Sequence, residues 1–153
     1  MTAKELKESL VREKWDPATL ELAIHTQFKC QYCGLDFLSS VNAYDSIEVE
    51  HIVPKNPGAD EPSNKTLVCR TCNKMKRRWN PELHAPTQSD RQGLLSVAAE
   101  YIQDKRKKKA QEVARVKILA EQLFDVLKED NQLANNRLEV TGDSLGGSSA
   151  PQS

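Results

Sequence analysis

The sequence lacks the features that mark membrane-spanning, secreted and strongly polyanion-binding proteins. No run of about 18 consecutive apolar residues occurs, so we expect no segment to span a membrane. The first residues lack the apolar stretch of a signal peptide, so we expect the protein not to be secreted. Lysine plus arginine equals aspartate plus glutamate, at 22 each, and net charge therefore indicates no partner. Aromatic residues make up only 5% of the 153 residues and apolar residues 38%, which suffices for one small core.

The distribution of charge is more informative than its sum. Residues 63–81 carry 6 basic residues and no acidic one. The basic residues of this stretch are Lys65, Arg70, Lys74, Lys76, Arg77 and Arg78. Such a patch can be a solvated helix face, but a cluster within a neutral chain favours local contact with nucleic-acid phosphates. We predict these six residues as the nucleic-acid-binding set.

All the cysteines of the chain fall into two CxxC motifs. The first motif is Cys30–Cys33, the second is Cys69–Cys72, and 35 residues separate them. A redox CxxC or four buried thiols are alternatives, but two paired motifs in a chain without an export signal favour a zinc site. Four thiolates complete a tetrahedron and leave no open position, so the predicted zinc is structural.

Periodicity and turn signals predict short elements around these motifs. The predicted helices cover residues 2–14, a segment starting at Asp16-Pro17, and residues 71–79, and the predicted strands cover 46–53 and 66–69. Asp16 is expected to cap its helix, with proline in the first helical position. In the first strand, Ile47, Val49 and Val53 alternate and form an apolar face.

The C-terminal third predicts a long helix. No proline or glycine occurs from Leu94 to Thr141, so one helix, or two with a bend, can cover about residues 90–131. Five consecutive basic residues, 105–109, precede an apolar stripe with alternating spacings of 3 and 4, formed by Val113, Val116, Ala120, Leu123 and Leu127. The stripe fits core packing or, alternatively, a seam for self-association. The Gly/Ser-rich end predicts disorder.

Chemistry-bearing residues cluster between and just after the CxxC motifs. The segments concerned are Cys30-x-x-Cys33, Glu50-His51-Ile52-Val53-Pro54, Asn64-Lys65-Thr66-Leu67-Val68-Cys69 and Arg70-Thr71-Cys72-Asn73-Lys74-Met75-Lys76. Together they resemble the HNH nuclease family, also called the ββα-metal nucleases, in its cysteine-flanked form. The resemblance covers roughly residues 28–80. His51 alone would suit an exposed strand position equally well, but its neighbours favour a catalytic role.

The residue types suit phosphodiester hydrolysis. Histidine exchanges protons near neutral pH, which suits His51 as the base that activates water. Glu50 and Asn73 offer hard oxygen atoms of the kind that Mg²⁺ binds. The resemblance implies that Glu50 and Asn73 hold one catalytic metal ion, Mg²⁺, Mn²⁺ or another divalent ion, and that Asn64 orients His51 by fixing the following loop. Neighbouring strand residues point to opposite faces, so Glu50 and His51 can share a site only where the strand twists or ends.

The predicted fold class is α+β: a small ββα-metal core with a four-cysteine zinc site, flanked by N-terminal helices and a long C-terminal helical segment. We predict an N-terminal helical segment at residues 1–27, the HNH core at 28–82, a helical extension at 83–135 and a disordered tail at 136–153.

The predicted function is a metal-dependent endonuclease that hydrolyses DNA, leaving 5′-phosphate and 3′-hydroxyl ends. One alternative is a non-catalytic zinc-ribbon module that binds nucleic acid, and another is a nuclease subunit that needs a partner in a phage-defence or phage-packaging assembly. DNA is the expected partner, RNA being the alternative, and the C-terminal helix is a candidate surface for a homodimer or a protein partner. The resemblance implies a cytoplasmic protein of prokaryotic or phage origin.

Overall fold

The computed structural model describes residues 1–55 and 60–142, without the side chains of residues 140–142. Chain contacts divide the protein into two units, Met1–Lys108 and Lys109–Ser153. The predicted division into four segments stays a prediction. The C-terminal part of the predicted disordered tail, residues 143–153, lies outside the described residues.

The first unit is a two-stranded sheet surrounded by helices. Its elements are α1 (Ala3–Arg12), α2 (Pro17–His25), α3 (Val41–Tyr44), β1 (Ile47–His51), β2 (Lys65–Cys69), α4 (Arg70–Lys76) and the first part of α5 (Arg91–Gly142). Short 3-10 turns occupy Pro62–Asn64 and Pro81–Leu83.

The N-termini of the first two helices are capped by side chains. Thr2 and Glu5 form a reciprocal capping box at α1. At α2 the Asp16 carboxylate accepts a hydrogen bond of 2.9 Å from the backbone N–H of Thr19, and Pro17 takes the first helical turn, as the sequence predicts. The caps satisfy N–H groups that have no partner inside the helix. Helix α2 then buries Leu20 and Ala23.

The hairpin brings the two predicted site segments side by side. Strands β1 and β2 are antiparallel, with Glu50 opposite Thr66 and His51 opposite Lys65. Strand β2 is buried on both faces from Thr66 to Cys69. In β1, however, the buried residue is Glu50, while Val49 on the predicted apolar face is 40% exposed. Hydrogen-bonding and charged partners of Glu50, described below, make this burial possible.

Helix α4 is shorter than the prediction of residues 71–79. It ends at Lys76, and Arg77 adopts a positive φ of 53°. The chain then turns, and the ring of Trp79 stacks on Tyr101 of α5 with centroids 4.1 Å apart. His84 stacks on the same indole ring at 4.6 Å. These aromatic contacts attach the segment after α4 to α5.

The first part of α5 completes the core of the first unit. Leu95, Ala98 and Ile102 are buried at helical spacing and belong to the same apolar cluster as Phe37 and Leu67. The apolar stripe predicted from the sequence lies later in this helix, at residues 113–127. The buried residues of α5 begin at Leu95, more than one turn after Asp90. The Asp90 side chain accepts a hydrogen bond of 2.8 Å from the N–H of Gly93 at the start of the helix.

In the second unit, the described residues form one helix through Gly142. Helix α5 therefore passes residue 135, where we expected the helical extension to end, because glycine and proline are absent up to that point. The predicted stripe is exposed here, with Val113, Val116, Leu123 and Leu127 all at least 45% accessible. Within the described residues the stripe is therefore not core packing, and the association alternative stays a prediction.

The mixture of helices with a small antiparallel hairpin confirms the α+β class and the ββα core, with four cysteines gathered at one end of the hairpin. Among the described residues, none of the helices has the length and apolar character needed to cross a bilayer.

Leu95→Ala is expected to lower the free energy of unfolding by about 2–5 kcal/mol, because it leaves a cavity where α5 meets the hairpin core. Leu38→Ala is the matched control, since Leu38 is 61% exposed whereas Leu95 is 3% exposed. The control should change stability by no more than about 0.5 kcal/mol. Urea unfolding followed by circular dichroism measures both, and equal losses would contradict the position of α5 in the core.

Candidate active site and metal centre

The four cysteine thiols converge at the junction of β2 and α4. The Sγ atoms of Cys30, Cys33, Cys69 and Cys72 all lie within 4.8 Å of one another. The Sγ atoms of Cys33 and Cys69 are 3.8 Å apart. A tetrahedral zinc ion with Zn–S bonds of about 2.3 Å requires thiolates separated by about 3.8 Å. The arrangement therefore fits a tetrahedral metal ion held by four thiolates.

Hydrogen-bond donors surround the thiols. The backbone N–H of Cys69 lies 3.2 Å from the Sγ atom of Cys30, and Nη1 of Arg106 lies 3.5 Å from the Sγ atom of Cys72. Donors of this kind stabilise thiolates and orient metal ligands. Gln103, also on α5, donates a hydrogen bond of 2.6 Å to the carbonyl of Tyr32 inside the first CxxC motif. Helix α5 thus supports both CxxC motifs.

Glu50 occupies the centre of a buried polar cluster. Its side chain is 5% exposed; Oε2 accepts a hydrogen bond of 2.6 Å from the Tyr32 hydroxyl, and Oε1 lies 2.5 Å from the Lys76 ammonium. Burial raises the pKa of Glu50, and the charge of Lys76 opposes that rise. Burial and the neighbouring Glu50 charge also raise the pKa of Tyr32, which keeps the phenol protonated as a donor. The lysine charge balances a carboxylate that would otherwise be costly to bury.

Asn64 fixes the chain just after the strand that carries His51. Its Oδ1 accepts from the N–H of Val53 and its Nδ2 donates to the carbonyl of Val53, each at 2.9 Å. The N–H of Ile52 also donates to the Asn64 carbonyl at 2.8 Å. These bonds hold residues 52–53 in one geometry, which matches the positioning role that the resemblance implies for Asn64.

His51 is the last residue of β1, and its ring contacts an acidic residue in the loop that leads to β2. Its Nε2 lies 2.9 Å from Oδ1 of Asp60, and Lys55 and Lys65 contact the same carboxylate. Hydrogen bonds from His51, then Lys65 and Lys55, hold the pKa of Asp60 well below its usual range. Asp60 was not among the residues predicted from the sequence.

Asn73 lies in α4 beside the other acidic residue of the β1 inner face. Its Nδ2 donates a hydrogen bond of 2.6 Å to Oε2 of Glu48. Glu48 also accepts from Nε of Arg70 at 3.0 Å. The acidic pair Glu48 and Glu50 thus faces α4, with a different helix residue bound to each carboxylate.

One cleft brings together Glu50, His51 and Asn73, three of the four residues that the sequence assigned to catalysis. Its volume is about 200 Å³. It is lined by Val49, Glu50, His51, Pro54, Lys55, Asn73, Arg77 and Arg78. Because β1 ends at His51, neighbouring residues with opposite orientations can both reach the cleft, which answers the geometric constraint stated above. Asn64 contributes through the backbone of Val53 instead of through this lining.

The predicted nucleic-acid-binding residues divide into three groups. Lys74, Arg77 and Arg78 are exposed on or after α4. Arg70 and Lys65 reach solvent but form ion pairs with Glu48 and Asp60. Lys76 is 1% exposed, so the prediction that it contacts nucleic acid is wrong for this structure. Its ammonium instead balances Glu50 and donates to the His51 carbonyl at 3.1 Å.

Sequence reasoning missed four participants: Tyr32, Asp60, Lys76 as a buried partner, and Arg106. Tyr32 stood out only as a packing residue, and Arg106 only as one of five basic residues in a run. Arg106 lies 34 positions from the cysteine that it contacts, a separation at which no spacing rule applies. Only the loop composition around Asp60 carried a signal, since functional residues concentrate in loops.

Comparison with protein families gives a match for the same region. Residues 30–78 match the family model described as HNH endonuclease. Comparisons with curated proteins and with solved structures gave no significant match. The matched region contains both CxxC motifs and the cleft-lining residues from Val49 to Arg78. Residues 30–78 of the chain are therefore similar to an HNH endonuclease domain, which confirms the resemblance inferred from the motifs.

Lys76→Met is expected to lower the free energy of unfolding by about 3–5 kcal/mol, since it leaves Glu50 buried without a counter-charge. In the double variant Glu50→Gln/Lys76→Met most of that loss should be recovered. Urea denaturation of the metal-loaded protein measures both.

Lys74→Met is the control, because Lys74 lies on the same helix and is exposed. It should change stability by no more than about 0.5 kcal/mol. A Lys76→Met variant as stable as this control would show that the buried pair does not form in solution.

Proposed function

We propose that the protein is a metal-dependent endonuclease that hydrolyses DNA phosphodiester bonds, with His51 as general base. The observation that carries this proposal is the single cleft lined by Glu50, His51 and Asn73, with Arg77 and Arg78 at its edge. Phosphodiester hydrolysis can use an imidazole as base and hard oxygen donors to hold a metal ion, and guanidinium groups bind phosphate.

In this mechanism the imidazole of His51 takes a proton from water as the water oxygen attacks phosphorus. The bond between phosphorus and the 3′ oxygen breaks, and the 3′ oxygen takes a proton from solvent water, which leaves a 5′-phosphate and a 3′-hydroxyl. Asn64 keeps the chain after His51 in place through its two bonds to Val53. Arg77 and Arg78 bind neighbouring phosphates of the strand, and such contacts make binding sensitive to salt.

The donor set of the cleft suits a divalent ion. A carboxylate oxygen of Glu50 and the amide oxygen of Asn73 are ligands that Mg²⁺ or Mn²⁺ accepts, and we assign the catalytic ion to these two residues. Such an ion would supply charge neutralisation at the phosphate and the leaving oxygen. In the structure both Glu50 oxygens are engaged, Oε2 by the Tyr32 hydroxyl and Oε1 by the Lys76 ammonium, so an ion held by Glu50 would replace one of these contacts.

Zinc is the proposed occupant of the four-thiol site. Supporting this are the separation of 3.8 Å between the Cys33 and Cys69 sulfur atoms and the donors to Cys30 and Cys72. Thiolates select zinc over magnesium because they are soft ligands. The site is closed, so we assign it to structure alone.

Association through the second unit stays a prediction. Its helix exposes large apolar side chains along residues 113–138, and exposure of this kind marks surfaces that bind another protein chain. A homodimer would allow two nicks on opposite strands, and a heterologous partner would fit the dependent-subunit alternative. The cytoplasmic location inferred from the sequence also stays a prediction.

The nuclease activity is tested with supercoiled plasmid, with Mg²⁺, with Mn²⁺ and without added divalent ion. We expect metal-dependent nicking, lowered at least about 100-fold in His51→Ala, because a general base contributes on that scale. His25→Ala is the control, since His25 is exposed at the end of α2. Equal nicking by wild type and His51→Ala would exclude His51 as the base.

The zinc assignment predicts one zinc per chain by elemental analysis and four reduced thiols after denaturation. Cys72→Ser should lose the metal and the cooperative unfolding transition, since structural zinc contributes about 10–16 kcal/mol of apparent binding free energy. Thr71→Ser, an exposed neighbour, should retain both. Fewer than four titratable thiols in the metal-free protein would indicate disulfide chemistry instead.

A further inference from the structure

Asp60 gathers three cationic or protonatable side chains around one exposed carboxylate. Its Oδ1 lies 2.9 Å from Nε2 of His51 and 2.9 Å from Nζ of Lys65. Its Oδ2 lies 3.2 Å from Nζ of Lys55. The Asp60 side chain is 51% exposed, whereas the His51 ring beneath it is 26% exposed. An acidic side chain thus covers the nitrogen of the proposed base from the solvent side.

Stability does not explain this arrangement. Exposed ion pairs contribute little, because water screens the charges and the side chains lose freedom. His51 is at the end of β1, Lys55 follows in the loop, and Lys65 begins β2. The three donors therefore reach the Asp60 carboxylate from separate parts of the chain. Lysine and histidine donors arranged in this way match the oxygens of a phosphate group as well as those of a carboxylate.

The surroundings are also those of a phosphate site. His51 and Lys55 line the cleft together with Arg77 and Arg78. The Asp60 carboxylate contacts both His51 and Lys55. A nucleic-acid strand entering this cleft brings phosphate oxygens toward the same lysines. The Asp60 carboxylate and such a phosphate cannot occupy the same donors at the same time.

We propose that Asp60 occupies a phosphate-binding subsite formed by Lys55 and Lys65 beside His51, and that a backbone phosphate of the nucleic acid displaces it. The inference rests on the proposed function. It adds a second phosphate contact, at Lys55 and Lys65, and identifies the Asp60 carboxylate as a group that competes with the phosphate for that contact. In the free protein Asp60 covers His51 Nε2. In the complex the two lysines bind the phosphate, and the imidazole is released from the carboxylate.

A positioning role for Asp60 predicts a different result. If the carboxylate oriented His51 during catalysis, as in histidine–carboxylate pairs, its removal would lower kcat and leave binding unchanged. If it is a competitor, its removal strengthens binding and lowers KM. Whether removal of the carboxylate tightens binding therefore separates the two roles.

The test is Asp60→Asn, which removes the charge and keeps the shape. Binding of a fluorescently labelled DNA duplex is measured by anisotropy over a series of salt concentrations, with Ca²⁺ in place of Mg²⁺ and no chelator. We expect binding about tenfold tighter, with the slope of log K against log salt steeper by about 1–2, as two lysines become free to bind phosphate. Adding Lys55→Gln and Lys65→Gln to this variant should abolish the gain.

Asp104→Asn is the matched control. Asp104 is an exposed aspartate paired with Lys108 at 2.8 Å, so the variant makes the same change of net charge on α5. It should leave the salt slope unchanged. Circular dichroism checks that Asp60→Asn is folded, and Asp60→Ser provides a second variant with the same expected sign.

Binding by Asp60→Asn that equals or falls below that of Asp104→Asn would overturn the inference, and a loss of kcat with unchanged binding would assign Asp60 to positioning. The experiments distinguish a failure of the proposed nuclease function from a failure of the proposed subsite. If wild type nicks no plasmid but Asp60→Asn binds DNA more tightly, the subsite stands without the activity. If wild type nicks and Asp60→Asn shows no gain, the activity stands without the subsite.

Discussion

The convergence of four thiols at the end of the hairpin is the constraint on which the domain depends. It joins the turn after α2 to the point where β2 becomes α4, although 35 residues separate the two motifs. Four thiolates at this spacing repel one another unless a cation or donors balance them, and the structure supplies Arg106 and a backbone N–H. With these segments joined, Glu50 of β1 lies between Tyr32 of the first CxxC motif and Lys76 of α4, and the end of β1 lines the cleft.

The thiol cluster and the cleft are physically connected through Tyr32. This residue lies between Cys30 and Cys33, and its hydroxyl donates to Glu50. Lys76, one turn after Cys72, contacts the other oxygen of the same carboxylate. Both partners of Glu50 therefore come from segments that the cysteines hold. A buried ion pair is stabilising only when its geometry is good and its remaining polar atoms are satisfied, so the segments that carry the four cysteines also position the side chain of Glu50 in the cleft.

Much of the fold followed from local signals. The Asp16 cap, the two strands and the CxxC motifs each depend on residues within a few positions, and the structure confirms those elements within a few residues of the predicted bounds. The errors have long-range causes. The alternating valines of β1 indicated an apolar inner face, yet Glu50 is the buried residue because Tyr32 and Lys76 accommodate it. The stripe at 113–127 had the regular spacing of a buried face, yet residues 95–102 form the core.

The sequence by itself determined which chemical groups are present and in what local order: paired thiols, a histidine next to a carboxylate, and asparagines in the following loop and helix. Tertiary structure alone decided which of them meet. Tyr32 is 18 residues from Glu50, Lys76 is 25 residues from His51, and Arg106 is 34 residues from Cys72. Burial and charge pairing depend on the full set of neighbours in space, and neighbours this far apart in the chain leave no periodic signal. For that reason the sequence assigned Lys76 to the solvent and left Asp60 unassigned, although each contacts the segment Glu50–His51.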